Sequence, residues 1–150
     1  MKISVLGAGG WGTTLGILLH YNGHQVTLWE YKKNYVKELI KKRVNSLYLP
    51  GVNIPQEILI THDLKESVRQ KNLIVLAVPS QFLRSVIEDV SYSDIKNSIL
   101  VSVAKGIENK HLMTMSQMLK DVHPNLSEEQ IGVLSGPSHA EEVSKRIPTA

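Results

Sequence analysis

Short β-branched apolar runs alternate with stretches whose apolar residues recur at helical spacing. Lys2–Leu6 (KISVL) predicts a strand stopped by Gly7. Gly10–Tyr21 carries Leu15, Leu18 and Leu19 at helical spacing, and Asn22-Gly23 supplies a left-handed stop. Gln25–Trp29 predicts a second strand, and Lys32–Arg43 an amphipathic helix with Val36, Leu39 and Ile40 on one face. Val44–Glu57 breaks the alternation: Pro50-Gly51 and Pro55 resist helix, so a structured loop is expected. Ile58–Thr61 predicts a third strand. Asp63 is placed to cap a short helix reaching about Arg69, with Glu66 as its capping-box partner. Asn72–Val78 (NLIVLAV) is continuously apolar, as a central parallel strand buried on both faces must be. Gln81–Val90 predicts a helix and Ser98–Val103 a buried strand. Lys110–Val122 predicts a helix with Met113 or Leu112, Met115, Met118 and Leu119 turned inward as core filling. Ile131–Leu134 predicts a sixth strand and Ser138–Arg146 a short helix.

Strands alternating with helices imply βαβ units. The expected fold is therefore α/β: Rossmann-like, doubly wound, with a mainly parallel sheet and helices on both faces. At 150 residues with 42% hydrophobic content, the chain fits one domain able to bury its own core. It has no cysteine, which excludes disulfides, Cys-ligated zinc, iron–sulfur clusters and a thiol nucleophile, and suits a reducing, cytoplasmic setting. The net charge of +3 is far from that of a nucleic-acid-coating surface, so no nucleic-acid partner is expected. No apolar run has the length of a membrane span, so no membrane partner is expected either. Ile147-Pro148-Thr149-Ala150 reads as the entry to another strand, so a fragment of a longer protein is expected.

Gly7-Ala8-Gly9-Gly10-Trp11-Gly12 fits G-x-G-x-x-G between a strand and a helix, the context in which that pattern carries chemistry. Gly7 permits the tight turn, Gly9 lets a pyrophosphate approach the backbone, and Gly12 lets helix and strand pack closely. The helix N-terminus then offers free N–H groups to the diphosphate. Glu30 closes the second strand 18 residues after Gly12, where a carboxylate reads ribose hydroxyls and repels a 2′-phosphate. Lys32 and Lys33 just beyond it would tolerate a 2′-phosphate, so NAD and NADP both remain open. Three further segments fall at strand carboxyl ends, where ligands of doubly wound sheets sit. Val78-Pro79-Ser80 would flank the nicotinamide-side ribose. Lys105, beside Gly106, would hold an anionic substrate or polarise a carbonyl. Gly136-Pro137-Ser138-His139-Ala140 offers N–H groups and a hydroxyl to an anion. His20, His24, His62, His111 and His123 show no metal-ligand spacing and read as surface residues; no metal is expected. Trp29 is expected to be buried, and Trp11 to cover a cofactor.

Several blocks occur together in order: Gly7–Gly12 with Trp11-Gly12, Leu28-Trp29, Arg43-Val44-Asn45, Tyr48-Leu49-Pro50-Gly51, Val78-Pro79-Ser80, Ala104-Lys105-Gly106-Ile107-Glu108, and Gly136-Pro137-Ser138-His139-Ala140. In these the chain resembles the bacterial soluble NAD(P)-dependent glycerol-3-phosphate dehydrogenases, over essentially its whole length. The resemblance implies hydride transfer between a nicotinamide cofactor and dihydroxyacetone phosphate or sn-glycerol 3-phosphate, feeding glycerophospholipid synthesis. It implies that Lys105 contacts cofactor and substrate and serves catalysis, that Gly136 and Ser138 contact substrate, and that Ala140, Gly10 and Trp11 contact cofactor. It also implies a helical domain after Ala150 that supplies the proton-transfer lysine and the substrate-phosphate arginine, and through which a homodimer would form. Residues 1–150 alone would then be inactive. Two departures stand out: Gly10 replaces a common serine, and Tyr31 replaces an arginine suited to a 2′-phosphate. With Glu30 beside it, Tyr31 tilts the expectation toward NAD, with Tyr31 and Lys32 at the adenosine end. The competing readings are a ketopantoate- or 6-phosphogluconate-type dehydrogenase and a non-catalytic NAD-sensing module.

Overall fold

The computed structural model describes residues 1–136 and 138–148. Pro137 of the Gly136–Ala140 segment, and Thr149 and Ala150 of the expected strand entry, lie outside the described residues. In chain order the first half comprises β1 (Lys2–Leu6), α1 (Gly10–Tyr21), β2 (Gln25–Trp29), α2 (Lys33–Lys42), β3 (Val44–Asn45), β4 (Leu49–Asn53), β5 (Leu59–Thr61) and α3 (Leu64–Val68). The second half comprises β6 (Leu73–Leu76), α4 (Ser80–Glu88), α5 (Tyr92–Ile95), β7 (Ile99–Ser102), α6 (Met115–Val122), β8 (Ile131–Val133) and α7 (Ala140–Ser144).

Six strands form one sheet in the order β5-β2-β1-β6-β7-β8, and every pairing in it is parallel. The chain winds outward from β1 through β2 to β5. It then crosses back to lay β6 on the other side of β1. That reversal is the doubly wound topology expected from the alternation, and it puts the switch point between β1 and β6.

Alternate residues of each strand feed two cores. Ile3, Val5 and Val75 pack beneath α1, α2 and β4 through Leu15, Ile17, Val36, Leu39 and Leu49. Leu6, Ile74, Leu76 and Leu100 pack on the opposite face against Leu83, Ile87, Met115, Met118 and Leu119. Trp29 is buried and its indole N–H donates to the His62 carbonyl at 3.1 Å.

The structure corrects several sequence-based expectations. The inward face of α2 is Tyr35, Val36 and Leu39, and Ile40 is 46% exposed. Tyr35 goes inside because its hydroxyl has a buried partner. On α1, Leu15 is buried while Leu18 is exposed, because glycine and threonine on the opposite side meet the sheet. The α6 helix begins at Met115, where Thr114 and Gln117 form a capping box, rather than at Lys110. Leu112, before it, is 74% exposed and left-handed. The last helix is shortened to Ala140–Ser144. Asp63 caps α3 through the Glu66 N–H, but the Glu66 carboxylate accepts from Thr61 instead of closing a capping box. His123 is half-buried against Tyr92 rather than on the surface, and His20 and His24 are also half-buried.

The largest departure is the expected loop Val44–Glu57, which contains the antiparallel pair β3–β4. A prolyl residue is tolerated there because the pair is short and lies outside the main sheet. The fully buried Asn45 anchors it. Its amide nitrogen donates to the Ala8 carbonyl and to Thr13 Oγ1, each at 2.8 Å. Its Oδ1 accepts from the Tyr35 hydroxyl and from the Tyr48 N–H at 3.1 Å. Both donors and both acceptor positions of one side chain are thus used, which makes its burial favourable. Asn45→Ala would leave these groups unpaired, at about 1–3 kcal/mol for each that stays dry. We expect a loss of about 3 kcal/mol in urea unfolding. A loss under about 1 kcal/mol would mean that apolar contacts alone hold the hairpin.

Candidate functional site

The turn between β1 and α1 is built from close approaches that exclude side chains. Gly7 has φ +110°, and a Cβ there would lie 2.9 Å from the backbone of Ala77 and Val78. A Cβ at Gly12 would lie 2.0 Å from the Gly7 carbonyl oxygen. A Cβ at Gly10 would lie 2.5 Å from the Tyr48 carbonyl oxygen, so the hairpin explains why this position carries no serine side chain. Gly9 differs: among the described residues nothing lies within 4 Å of a Cβ built there. The missing side chain at Gly9 leaves open space in front of the helix. No side chain caps α1 and no acidic residue stands in its first turn, so its N-terminal N–H groups and partial positive charge face that space.

A cleft of about 260 Å³ opens at the carboxyl ends of β6, β7 and β8. It gathers Trp11, Pro79, Lys105, Gly136 and Ser138 from four separate segments. Trp11 comes from the glycine turn, Pro79 precedes α4, Lys105 follows β7, and Gly136 and Ser138 follow β8. Ala140 is not in this wall. It opens α7, which packs on α1, and its carbonyl accepts from the Thr14 hydroxyl at 3.2 Å. Lys105 is exposed and pairs with no acidic group among the described residues. Its charge is therefore available to the cleft.

Glu30, Tyr31 and Lys32 lie outside the cleft, just after β2. Glu30 is buried, and its Oε1 accepts from the Lys32 N–H at 3.1 Å. Tyr31 is exposed, with the Lys32 ammonium 5.3 Å from its ring centroid. The two groups of residues flank the glycine turn, as the two ends of a dinucleotide require.

Three supporting residues were given no individual role from the sequence, although Asn45 stands in the Arg43-Val44-Asn45 block. Asn45 holds the Ala8 carbonyl of the glycine turn from 37 residues away. Gln81 and Arg84, on α4, hold the segment that carries Lys105. Arg84 meets Glu108 through Nε at 2.6 Å and Nη2 at 3.0 Å, and its Nη1 donates to Asp121 at 2.7 Å. His111 Nδ1 lies 3.0 Å from Glu108 Oε2, the oxygen that Arg84 Nη2 also meets. The spacing of Gln81 and Arg84 by three on one helix face was the available clue. The hydrogen bonds from Arg84, helped by His111, hold the Glu108 carboxyl down at about 2. The same contacts raise the Arg84 guanidinium.

A strand, a glycine turn opening a helix, and a buried carboxylate closing the next strand are the parts of a dinucleotide-binding domain. The chain belongs to the family described as the NAD-dependent glycerol-3-phosphate dehydrogenase N-terminus, whose model matches residues 2–150. It is 51% identical over 150 residues to a glycerol-3-phosphate dehydrogenase, NAD(P)+, of Thermoanaerobacter sp., covering 100% of this chain and 44% of that protein. It is 48% identical over 151 residues to the protein of the same name from Fusobacterium nucleatum, covering 99% of this chain and 44% of that one. A crystal structure of glycerol-3-phosphate dehydrogenase from Coxiella burnetii superposes with a TM-score of 0.87 at 31% identity, over 99% of this chain and 44% of that one. The chain thus spans less than half the length of these relatives.

The depressed Glu108 carboxyl predicts a pH dependence. A carboxylate whose folded pKa lies below its ordinary value of 4.5 adds stability above that value. The contribution is lost as pH falls through 4.5 toward about 2. Glu108→Gln should therefore be less stable than the parent at neutral pH, and the gap should close across that acid window. Thermal unfolding of both proteins as a function of pH measures it. A gap that stays constant with pH would mean that Glu108 is not held by its charge.

Proposed function

We propose that the chain is the cofactor domain of an NAD(P)-dependent glycerol-3-phosphate dehydrogenase, interconverting dihydroxyacetone phosphate and sn-glycerol 3-phosphate. The observation that carries this reading is the cleft. In a chain of this family, it brings Lys105, Gly136, Ser138, Pro79 and Trp11 together at the carboxyl ends of β6, β7 and β8, beside the sheet's switch point. The family match also weighs against a ketopantoate- or 6-phosphogluconate-type enzyme.

The residues present fit a dinucleotide. The space before Gly9 and the uncapped start of α1 suit a diphosphate, which needs close backbone approach and N–H donors. The Glu30 Oε2 has no partner among the described residues and suits a ribose hydroxyl. A carboxylate there also repels a 2′-phosphate, so NAD is favoured over NADP. Gly7, Gly10 and Gly12 keep the turn in place, Tyr31 and Lys32 border the adenosine end, Pro79 and Trp11 border the nicotinamide side, and Ala140, which stands beside Gly10, is a further cofactor contact. When bound, the nicotinamide supplies the hydride that adds to the carbonyl carbon. This chain's own residues orient the substrate and stabilise its charge. As the carbonyl is reduced, negative charge grows on its oxygen, beside a phosphate that is already anionic. Lys105 offsets that charge from the strand end, and Gly106 leaves room beside it. The Ser138 hydroxyl and the backbone at Gly136 offer hydrogen bonds to the same substrate. The proton that completes the alcohol, and a second phosphate ligand, would come from a helical domain after residue 150. Such a domain would also be the seat of any homodimer contact. No helix among the described residues is long and apolar enough to cross a membrane, and a cytoplasmic location suits the absence of cysteine.

Turnover of dihydroxyacetone phosphate by the full-length product, with NADH and NADPH in parallel, tests the function. No turnover with either would sink it and favour a sensing module. Lys105→Ala should lower kcat by about 10²–10³-fold, with NADH affinity near the parent's. Activity within a few-fold of the parent would make Lys105 a bystander. Glu30→Ala should weaken NADH binding by about 1.5–3 kcal/mol and narrow the gap to NADPH. A parent that already prefers NADPH strongly would show that Lys32 and Lys33 outweigh Glu30.

A further inference from the structure

Between β7 and α6 the chain runs from Val103 to Thr114 without helix or strand. Lys105 sits near its start, in an exposed stretch that turns through Gly106 at φ +91°. An ammonium on a free segment of this length would sample many positions, and ordering it there would cost entropy at each encounter with substrate.

The segment is not free, because α4 grips it at two levels. The Gln81 side-chain amide donates to the Ile107 carbonyl at 2.7 Å, and its oxygen accepts from the Asn109 N–H at 3.0 Å. One side chain thus pairs with backbone on both sides of Glu108. Three residues further along α4, Arg84 holds Glu108 itself with two hydrogen bonds, at 2.6 and 3.0 Å. This pair is largely shielded, with side chains 14% and 7% exposed. Arg84 continues to Asp121 on α6, which lashes α4, the segment and α6 together. The Glu108 N–H closes the segment on itself by donating to the Met113 carbonyl at 2.8 Å.

The other end of α4 is the cleft wall. The helix starts at Ser80, directly after Val78 and Pro79, which line the cleft. Ser80 Oγ lies 3.6 Å from where a Cβ of Gly106 would stand. One short helix therefore joins the wall of the cleft to the segment carrying its cation. Gln81, Arg84 and Glu108 do not themselves line the cleft.

We propose that Gln81 and the Arg84–Glu108 pair are positioning residues for Lys105, fixing its ammonium against the Val78–Pro79 wall. The proposal rests on the role given to Lys105 above. Misplacing a charge-stabilising group by about 1 Å costs up to about 10²-fold in rate, so loosening the segment should be felt in kcat rather than in cofactor affinity.

Gln81 is exposed, so Gln81→Ala should fold, and it is made in the full-length product alone and together with Lys105→Ala. Gln81→Ala should lower kcat about 10- to 100-fold with dihydroxyacetone phosphate, leaving NADH affinity within about 2-fold. In the Lys105→Ala background the same change should add less than about 2-fold, because groups acting through one residue are not additive. Arg84→Met should behave in the same way, and Arg84→Lys should recover only part of the loss, since an ammonium cannot make the paired contact. Two factors that multiply, or a Gln81→Ala kcat within about 2-fold of the parent, would overturn the proposal. Amide hydrogen exchange supplies a readout independent of turnover. The Asn109 N–H, which donates to Gln81, should exchange about 10-fold faster in Gln81→Ala, and unchanged exchange would also overturn the clamp. A parent that does not reduce dihydroxyacetone phosphate would instead overturn the function proposed above, leaving exchange to decide the clamp alone.

Discussion

The Gly7 carbonyl oxygen stands 2.0 Å from the place a Cβ on Gly12 would occupy, and the rest of the site depends on that closeness. It lets the first turn of α1 sit directly over the end of β1. Gly7 in turn lies against the backbone of Ala77, at the end of the neighbouring β6. Three backbones are therefore stacked without intervening side chains at the switch point of the sheet. The helix N-terminus points into the crevice that the reversal of winding opens, and no described residue fills the space before Gly9.

Two braces of opposite electrical character hold the walls of that crevice. The glycine turn is braced by a neutral group, the Asn45 amide, whose donors and acceptors are all used. A carboxylate in that position would accept no better and would put negative charge behind a turn suited to phosphate. The Lys105 segment is braced by ions. There the carboxylates of Glu108 and Asp121 face Arg84, so their charge is spent within the brace. Lys105 is left unpaired by them, facing the cleft. The brace that must stay rigid next to an anion is uncharged. The brace behind a cation is charged and internally balanced.

Much of the fold was legible along the chain. All six sheet strands lie within the predicted segments, because buried parallel strands are short, β-branched and apolar, a purely local signature. The glycine turn was legible for a similar reason: close backbone approach forbids side chains, so its spacing is written directly in residue type. Lys105, Gly136 and Ser138 were legible through their place after strands, since a parallel sheet delivers every such segment to one edge. The hairpin was not. Pro50-Gly51 reads as a loop, and only pairing of Val44 with Asn53 makes a strand of it. The inward turn of Tyr35 in place of Ile40 was hidden too, because hydropathy ranks isoleucine as the core residue. A buried partner for the tyrosine hydroxyl reverses that ranking.

Residue order alone thus settled the alternation, the sheet class and the glycine turn, each of which follows from periodicity or from backbone sterics within a few residues. Tertiary structure decided which polar groups hold those parts in register. Asn45 reaches Ala8 across 37 positions, and Arg84 reaches Glu108 across 24. A hydrogen bond depends on where two groups end up in space, within a few tenths of an ångström. No local pattern encodes that. The types of Asn45, Gln81 and Arg84 name no partner until folding brings the matching donor or acceptor to them.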